Sequence, residues 1–227
     1  MPPADPLRII VGTALAYLLG AVPFGLLVGL ARGVDIRRHG SGNIGATNAM
    51  RVLGKPMGMA VHALDIGKGF AASFLIARLA AGGRAEAVPA LGIACGSAAI
   101  LGHVFPLYLK FRGGKGMATS LGAFLGLAWL PTLMGAAVWL GVKTATRYVS
   151  LASMAAVAAV PLAMALVPDP LRGGERTWCR AELVGFAAAV ALLVIVRHRA
   201  NIGRLLRGVE HKVGESSPPP PGEEAGP

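Results

Sequence analysis

The chain has 227 residues, 54% of them apolar and 15% charged, with a mean hydropathy of +0.61. A soluble domain carries about 25% charged residues and cannot hide this much apolar surface, so lipid must solvate part of it. A disordered chain, a coiled coil and a disulfide scaffold are excluded too. Lys and Arg number 22 against 11 Asp and Glu, a net charge of +11. The cations sit in short segments between apolar runs, which fits the positive-inside rule and not nucleic acid. Anionic substrates are a second possible cause of the surplus.

Taken in chain order, Leu7 to Leu30 predicts a first transmembrane helix. The run is long enough for a hydrocarbon core of about 30 Å. Its start, MPPADP, is not basic, and the run is too long for a cleavable signal peptide. A polar stretch follows from Ala31 to Lys55. Pro56 to Ala81 is a second span and carries His62, Asp65 and Lys68. Ala87 to Leu109 is a third, broken near His103 and Pro106, and a basic loop runs from Lys110 to Lys115. Gly116 to Val142 reads either as one tilted span or as two short helices broken at Trp129-Leu130-Pro131 that enter and return. Ser150 to Val167 and Ala181 to Val196 are the last spans. A basic segment, Arg197 to Val213, precedes a Pro- and Glu-rich tail, Gly214 to Pro227, expected to be disordered.

Charge separates the two readings of Gly116 to Val142. With two helices, segments 31–55, 110–115, 143–149 and 197–213 share one face and hold 15 Lys and Arg, against six on the other face. With one helix the bias nearly vanishes. The biased count is the expected one. The fold expected is therefore all-α: a polytopic integral membrane protein of about seven embedded helices in one domain over 1–213. Its N-terminus lies outside and its C-terminus in the cytoplasm. The pairs Gly25/Gly29 and Gly122/Gly126 are expected as small faces for close helix packing.

Three polar stretches carry chemistry. In the first, Gly40-Ser41-Gly42-Asn43-Ile44-Gly45-Ala46-Thr47-Asn48-Ala49-Met50-Arg51, glycines let backbone N–H groups converge on an anion. Hydroxyls and amides add donors, and Arg51 adds a guanidinium fork. In the second, Gly102-His103-Val104-Phe105-Pro106 leads to Phe111-Arg112-Gly113-Gly114-Lys115-Gly116-Met117-Ala118-Thr119. Three glycines around a lysine at a helix entrance suit an anion. Leu109 and Gly116 rule out a nucleotide P-loop. The third, His198-Arg199-Ala200-Asn201-Ile202-Gly203-Arg204, places His198 and Asn201 on one helix face. Within the second span, His62, Asp65 and Lys68 form a column that is either part of the site or a structural ion pair. Cys95 and Cys179 share no ligand spacing, no His, Cys, Asp and Glu cluster does, and neither a metal nor a cofactor is expected.

GSGNIGATNAMR, ALDIGKG, GHVFPLYLKFRGGKGMATS and RHRANIGRLLRG, in this order, resemble the motifs of the bacterial acyl-phosphate:glycerol-3-phosphate acyltransferase family. The resemblance runs from the first span to Lys212. It implies a membrane enzyme that moves an acyl chain from acyl phosphate to the sn-1 hydroxyl of glycerol 3-phosphate. The products are lysophosphatidic acid and inorganic phosphate. It implies an active site on the cytoplasmic side of the bacterial inner membrane. The enzyme that makes acyl phosphate is a possible partner, besides membrane lipid. Ser41, Arg51, Lys115, His198 and Asn201 are the catalytic candidates. Gly42, Asn43, Gly45, Thr47, Asn48, Asp65, Lys68, His103, Gly113, Gly114, Gly116 and Thr119 are the substrate-binding candidates.

Two rivals stand beside this reading. An acyl-CoA enzyme of the kind that uses His and Asp separated by four residues is disfavoured, because none of His39, His62, His103, His198 and His211 has Asp at that spacing. An organic-anion or phosphate transporter would suit the broken helices, but the polar motifs cluster at one face and not at mid-membrane.

Overall fold

The computed structural model describes residues 5–175 and 177–214, so the tail at 215–227 and Arg176 of the charge count lie outside the described residues. Helices account for nearly all regular structure there. They are α1 (Pro6–Ala21), α2 (Phe24–Leu30), α3 (Ala46–Leu53), α4 (Lys55–Phe70), α5 (Ala77–Ala81), α6 (Val88–Val104), α7 (Met117–Leu127), α8 (Trp129–Thr146), α9 (Val149–Leu166), α10 (Ala181–Arg197) and α11 (Arg199–Leu206). Seven of these have ten residues or more among the described residues, matching the expected number of embedded helices.

A π-helical turn, Ala71–Ile76, joins α4 to α5, giving a continuous apolar helix Lys55–Ala81 with mean hydropathy 1.3. Ala85–Leu109 and Val149–Leu166 also meet the length and hydropathy of a span. α1 with α2, and α10 with α11, do so as bent pairs, at 42° and 58°. The chain is an all-helical integral membrane protein.

The first span differs from expectation. Leu7 to Leu30 is not one helix: it breaks at Val22-Pro23, because Pro23 has no N–H to continue the ladder. The carbonyl of Val22 finds a donor far away, the Lys68 ammonium at 3.0 Å. The pair α7–α8 breaks at Ala128, whose φ of −151° and ψ of 74° leave the helical region. α7 has 11 residues and so covers about 16 Å, half of a hydrocarbon core. α7 alone is therefore too short to cross, whereas α8, with 18 residues, covers about 27 Å, so only one helix of the pair is as short as the two-helix reading expected.

Small residues bring the helices together. A side chain at Gly122 would collide with the Ile66 carbonyl, and one at Gly20 with Ala99, so α4 meets α7 and α1 meets α6 nearly backbone to backbone. Gly25 and Gly29 pack differently from the helix-on-helix expectation. Their neighbours are Ile44 and the Val34–Ile36 segment, so they seat the first polar motif on α2. Ile36, Ala49 and Val61 form a small core beneath that motif. A larger core joins α6, α7, α9 and α10 through Ile100, Phe124, Val157, Met164, Leu183 and Val194.

Candidate active site

All three polar stretches meet in one cavity of about 220 Å³. Its polar end is walled by Ser41, Asn43, Gly45, Thr47, Asn48, Arg51, Lys115, Gly116, His198, Asn201, Arg204 and Glu210. Its other end runs between α7, α8 and α9, past Leu121, Phe124, Trp139, Val157 and Val160. His62, Asp65 and His103 line the wall below.

The first motif is shaped by Asn48, which is buried. Its amide Nδ2 donates to the carbonyls of Ile36 at 2.9 Å and His39 at 3.2 Å, and its Oδ1 accepts the Ser41 N–H at 2.8 Å. Asn43 Oδ1 accepts the Gly45 N–H at 2.8 Å, and Gly42 donates to His39 O at 3.0 Å. Gly40 and Gly42 take φ of 59° and 67°, which a side chain disfavours. The loop amides expected to cradle an anion are therefore partly spent on folding the loop. Helix starts supply open amides instead. Ala46 and Thr47 precede the first bonds of α3, Asn48 and Ala49 to Gly45. Met117 and Ala118 precede the first bond of α7, Ser120 to Gly116 at 2.8 Å. All four residues stand at the cavity wall.

Gly113 and Gly114 also differ from a nest. Their N–H groups donate to the carbonyls of Val104 and His103, both at 3.1 Å. Gly116, with φ of 84°, is the turn that starts α7. Lys115 follows the glycine pair, and its Nζ donates to Asn201 Oδ1 at 2.6 Å. Burial pushes the Lys115 ammonium down to about 8, against an ordinary value of 10.5. Glu210 opposes that shift, and Arg204, Arg51 and Arg197 add to it. Burial likewise holds the Arg51 guanidinium below its ordinary range.

His198 is buried, with Nδ1 at 2.7 Å from the Val194 carbonyl. A carbonyl only accepts, so Nδ1 carries the hydrogen and Nε2 holds a lone pair.

The profile of the family described as "Glycerol-3-phosphate acyltransferase" matches residues 10–208. A glycerol-3-phosphate acyltransferase of Geobacter sulfurreducens is 46% identical over 88% of this chain and 95% of its own. One of Desulforudis audaxviator is 44% identical over 91% and 96%. The fold matches the crystal structure of PlsY (YgiH), an integral membrane glycerol 3-phosphate acyltransferase, in its glycerol 3-phosphate form. The TM-score is 0.77 and the identity 38%, over 91% of this chain and 96% of that one. The lysophosphatidic acid form of PlsY matches with a TM-score of 0.74 and 36% identity, over 91% and 95%.

The chain belongs to the glycerol-3-phosphate acyltransferase family.

Membership in this acyltransferase family sets the transporter reading aside. Of the residues singled out in the sequence, all five catalytic candidates line the cavity, as do Asn43, Gly45, Thr47, Asn48, Asp65, His103 and Gly116. Gly42, Lys68, Gly113, Gly114 and Thr119 stand behind the wall. Lys68 is buried against Asp65 at 2.8 Å and donates to the Val22 carbonyl at 3.0 Å, contacts that fit the structural ion pair the sequence also allowed. Thr119 is fully buried.

Several residues of this acyltransferase escaped the sequence reading. Glu210 accepts from Ser150 Oγ at 2.7 Å, Asn201 Nδ2 at 2.6 Å and Arg204 Nε at 2.7 Å. It is the lone acid of the basic segment 197–213, and that isolation was the available signal. Arg197 donates to Gly113 and Gly114. Trp139 and Ser150 lie on helices whose pattern is simply apolar, so nothing local marked them.

Proposed function

We propose that this chain transfers a fatty acyl group from acyl phosphate to the sn-1 hydroxyl of glycerol 3-phosphate, releasing lysophosphatidic acid and inorganic phosphate in the first acylation of phospholipid synthesis. One observation carries the reading. A single cavity joins an end rich in Lys115, Arg51, Ser41 and Asn201 to an end walled by Leu121, Phe124, Val157 and Val160. That matches a molecule with a phosphate at one end and an alkyl chain at the other.

The chemistry asks little of the protein. Acyl phosphate is a mixed anhydride, so phosphate is already a good leaving group and no covalent enzyme intermediate is needed. The sn-1 oxygen attacks the acyl carbonyl carbon, an ester C–O bond forms, and the bond to the phosphate oxygen breaks. The hydroxyl proton leaves to the departing phosphate or to Nε2 of His198. Lys115, Arg51 and Ser41 hold phosphate charge, His198 and Asn201 orient glycerol 3-phosphate, and the α7 N-terminus faces the developing oxyanion. The site opens to the cytoplasmic side of the bacterial inner membrane, where the enzyme that makes acyl phosphate is a partner.

Purified protein given acyl phosphate and labelled glycerol 3-phosphate should form labelled lysophosphatidic acid, and acyl-CoA should not replace the donor. Equal turnover with acyl-CoA would overturn the donor assignment.

A further inference from the structure

The turn that carries Lys115 is held from two sides by residues that are not themselves phosphate ligands in the reading above. On one side is His103, at the end of α6. Its carbonyl accepts the Gly114 N–H at 3.1 Å, and the neighbouring Val104 carbonyl accepts the Gly113 N–H at 3.1 Å. The imidazole lies so close beneath Gly114 that a Cβ there would run into the ring, and a Cβ at Gly113 would run into the His103 carbonyl. On the other side is Arg197, the last residue of α10. Its Nη2 donates to the Gly113 carbonyl at 3.0 Å and the Gly114 carbonyl at 3.1 Å.

A guanidinium ordinarily grips a carboxylate or a phosphate. Here one nitrogen of Arg197 is spent on two successive peptide carbonyls, and its Nε is buried without a hydrogen-bond partner among the described residues. Behind the imidazole, His103 Nδ1 stands 3.6 Å from Asp65 Oδ1, which Lys68 approaches to 2.8 Å. The ring is therefore backed by a buried ion pair and cannot easily sink. The next residue after the clamped pair is Lys115, whose ammonium must sit within a narrow window to meet both Asn201 and a ligand.

We propose that Arg197 and His103 are positioning residues, which clamp Gly113–Gly114 between α10 and α6 and so fix where Lys115 presents its ammonium. This rests on the reading of Lys115 as a phosphate ligand. The glycines at 113 and 114 are required for thinness, so that ring and guanidinium can close on the peptide from opposite sides.

A double-mutant cycle in the full-length protein, in detergent, tests it through kcat/KM for acyl phosphate and for glycerol 3-phosphate. Arg197→Met removes the clamp, and Gly114→Ala lifts the turn off the imidazole without changing any charge. Each should lower kcat/KM at least about tenfold in the native background. In a Lys115→Ala background each should cost less than about threefold, because the group being positioned is gone. An equal factor in both backgrounds would mean a general structural role and would overturn the proposal, as would near-native kcat/KM in both single variants. Should Arg197→Met fail to fold, Gly114→Ala carries the same cycle. Near-native activity of Lys115→Ala itself would instead refute the phosphate role of Lys115, a separate failure read from a separate variant.

Discussion

Nζ of Lys115 donates to Oδ1 of Asn201 at 2.6 Å, across 86 residues of sequence. Asn201 passes the interaction on, its Nδ2 donating to Glu210 at 2.6 Å. An ammonium, an amide and a carboxylate are thus joined by hydrogen bonds at the polar end of the cavity. The loop before α7 and the helix after α10 wall one cavity.

The phosphate roles proposed for Lys115 and Arg51 predict large losses on truncation. Lys115→Ala and Arg51→Ala should each cost at least about 2 kcal/mol in kcat/KM, from loss of a charge-assisted contact in a partly desolvated site. Arg51→Lys should not be conservative, since a point charge cannot grip two oxygens. Both variants should still insert and fold. Folded alanine variants with near-native kcat/KM for both substrates would exclude a two-phosphate site.

The pH profile follows from the burial of Lys115, which brings its ammonium down to about 8. The charged form is present below that value and is lost as pH rises through it. The kcat/KM for glycerol 3-phosphate should therefore fall about tenfold per pH unit on the alkaline side. The activity left in Lys115→Arg should lack this limb, because a guanidinium stays charged. A flat wild-type profile between about pH 7 and about pH 10, the ordinary lysine range, would contradict the assignment.

The buried pair of Lys68 and Asp65 predicts a stability effect. Lys68→Met leaves a buried carboxylate without its cation and the Val22 carbonyl with only the Phe24 N–H at 3.1 Å. The expected loss is about 3–5 kcal/mol, seen as a lowered Tm in detergent. Asp65→Asn combined with Lys68→Met should lose less than the two single changes added together.

Sidedness can be tested by labelling. Ser41, Lys115, Ser150 and Asn201 border one cavity, so the segments that carry them lie at one end of the bundle. Residues 40–51, 110–116, 143–149 and 197–212 should face the cytoplasm, as the positive charge bias demands. Single cysteines at positions 146 and 205 should react only after the cells are opened. Reaction from outside intact cells would reverse the topology.

Activity should be unchanged by a chelator. Among the described residues no group of three His, Cys, Asp or Glu is placed to hold a metal ion, and cations and amides line the cavity. Loss of turnover on chelation, restored by a divalent ion, would show that phosphate charge is handled differently.

Much of this molecule is decided by local chemistry, and so was legible in the sequence. Apolar runs of span length, the helix end before Pro106 and the interruption between α7 and α8 each follow from a few adjacent residues. Ser41, Arg51, Lys115, His198 and Asn201 could be named because each sits in a polar motif that resembles the family's, and all five line the cavity. The break at Pro23 is the counter-case. Proline explains why the ladder fails there, but the Val22 carbonyl, which accepts the Phe24 N–H, is also met by Lys68, 46 residues on, and only packing supplies that second donor. Glu210 and Arg197 are of the same kind, since each draws its role from partners on other helices. Local pattern also misread Gly113 and Gly114, whose amides turn inward to His103 and Val104. A backbone amide's partner is chosen by whichever carbonyl the tertiary fold brings within reach, and that choice is made only when the helices close on one another.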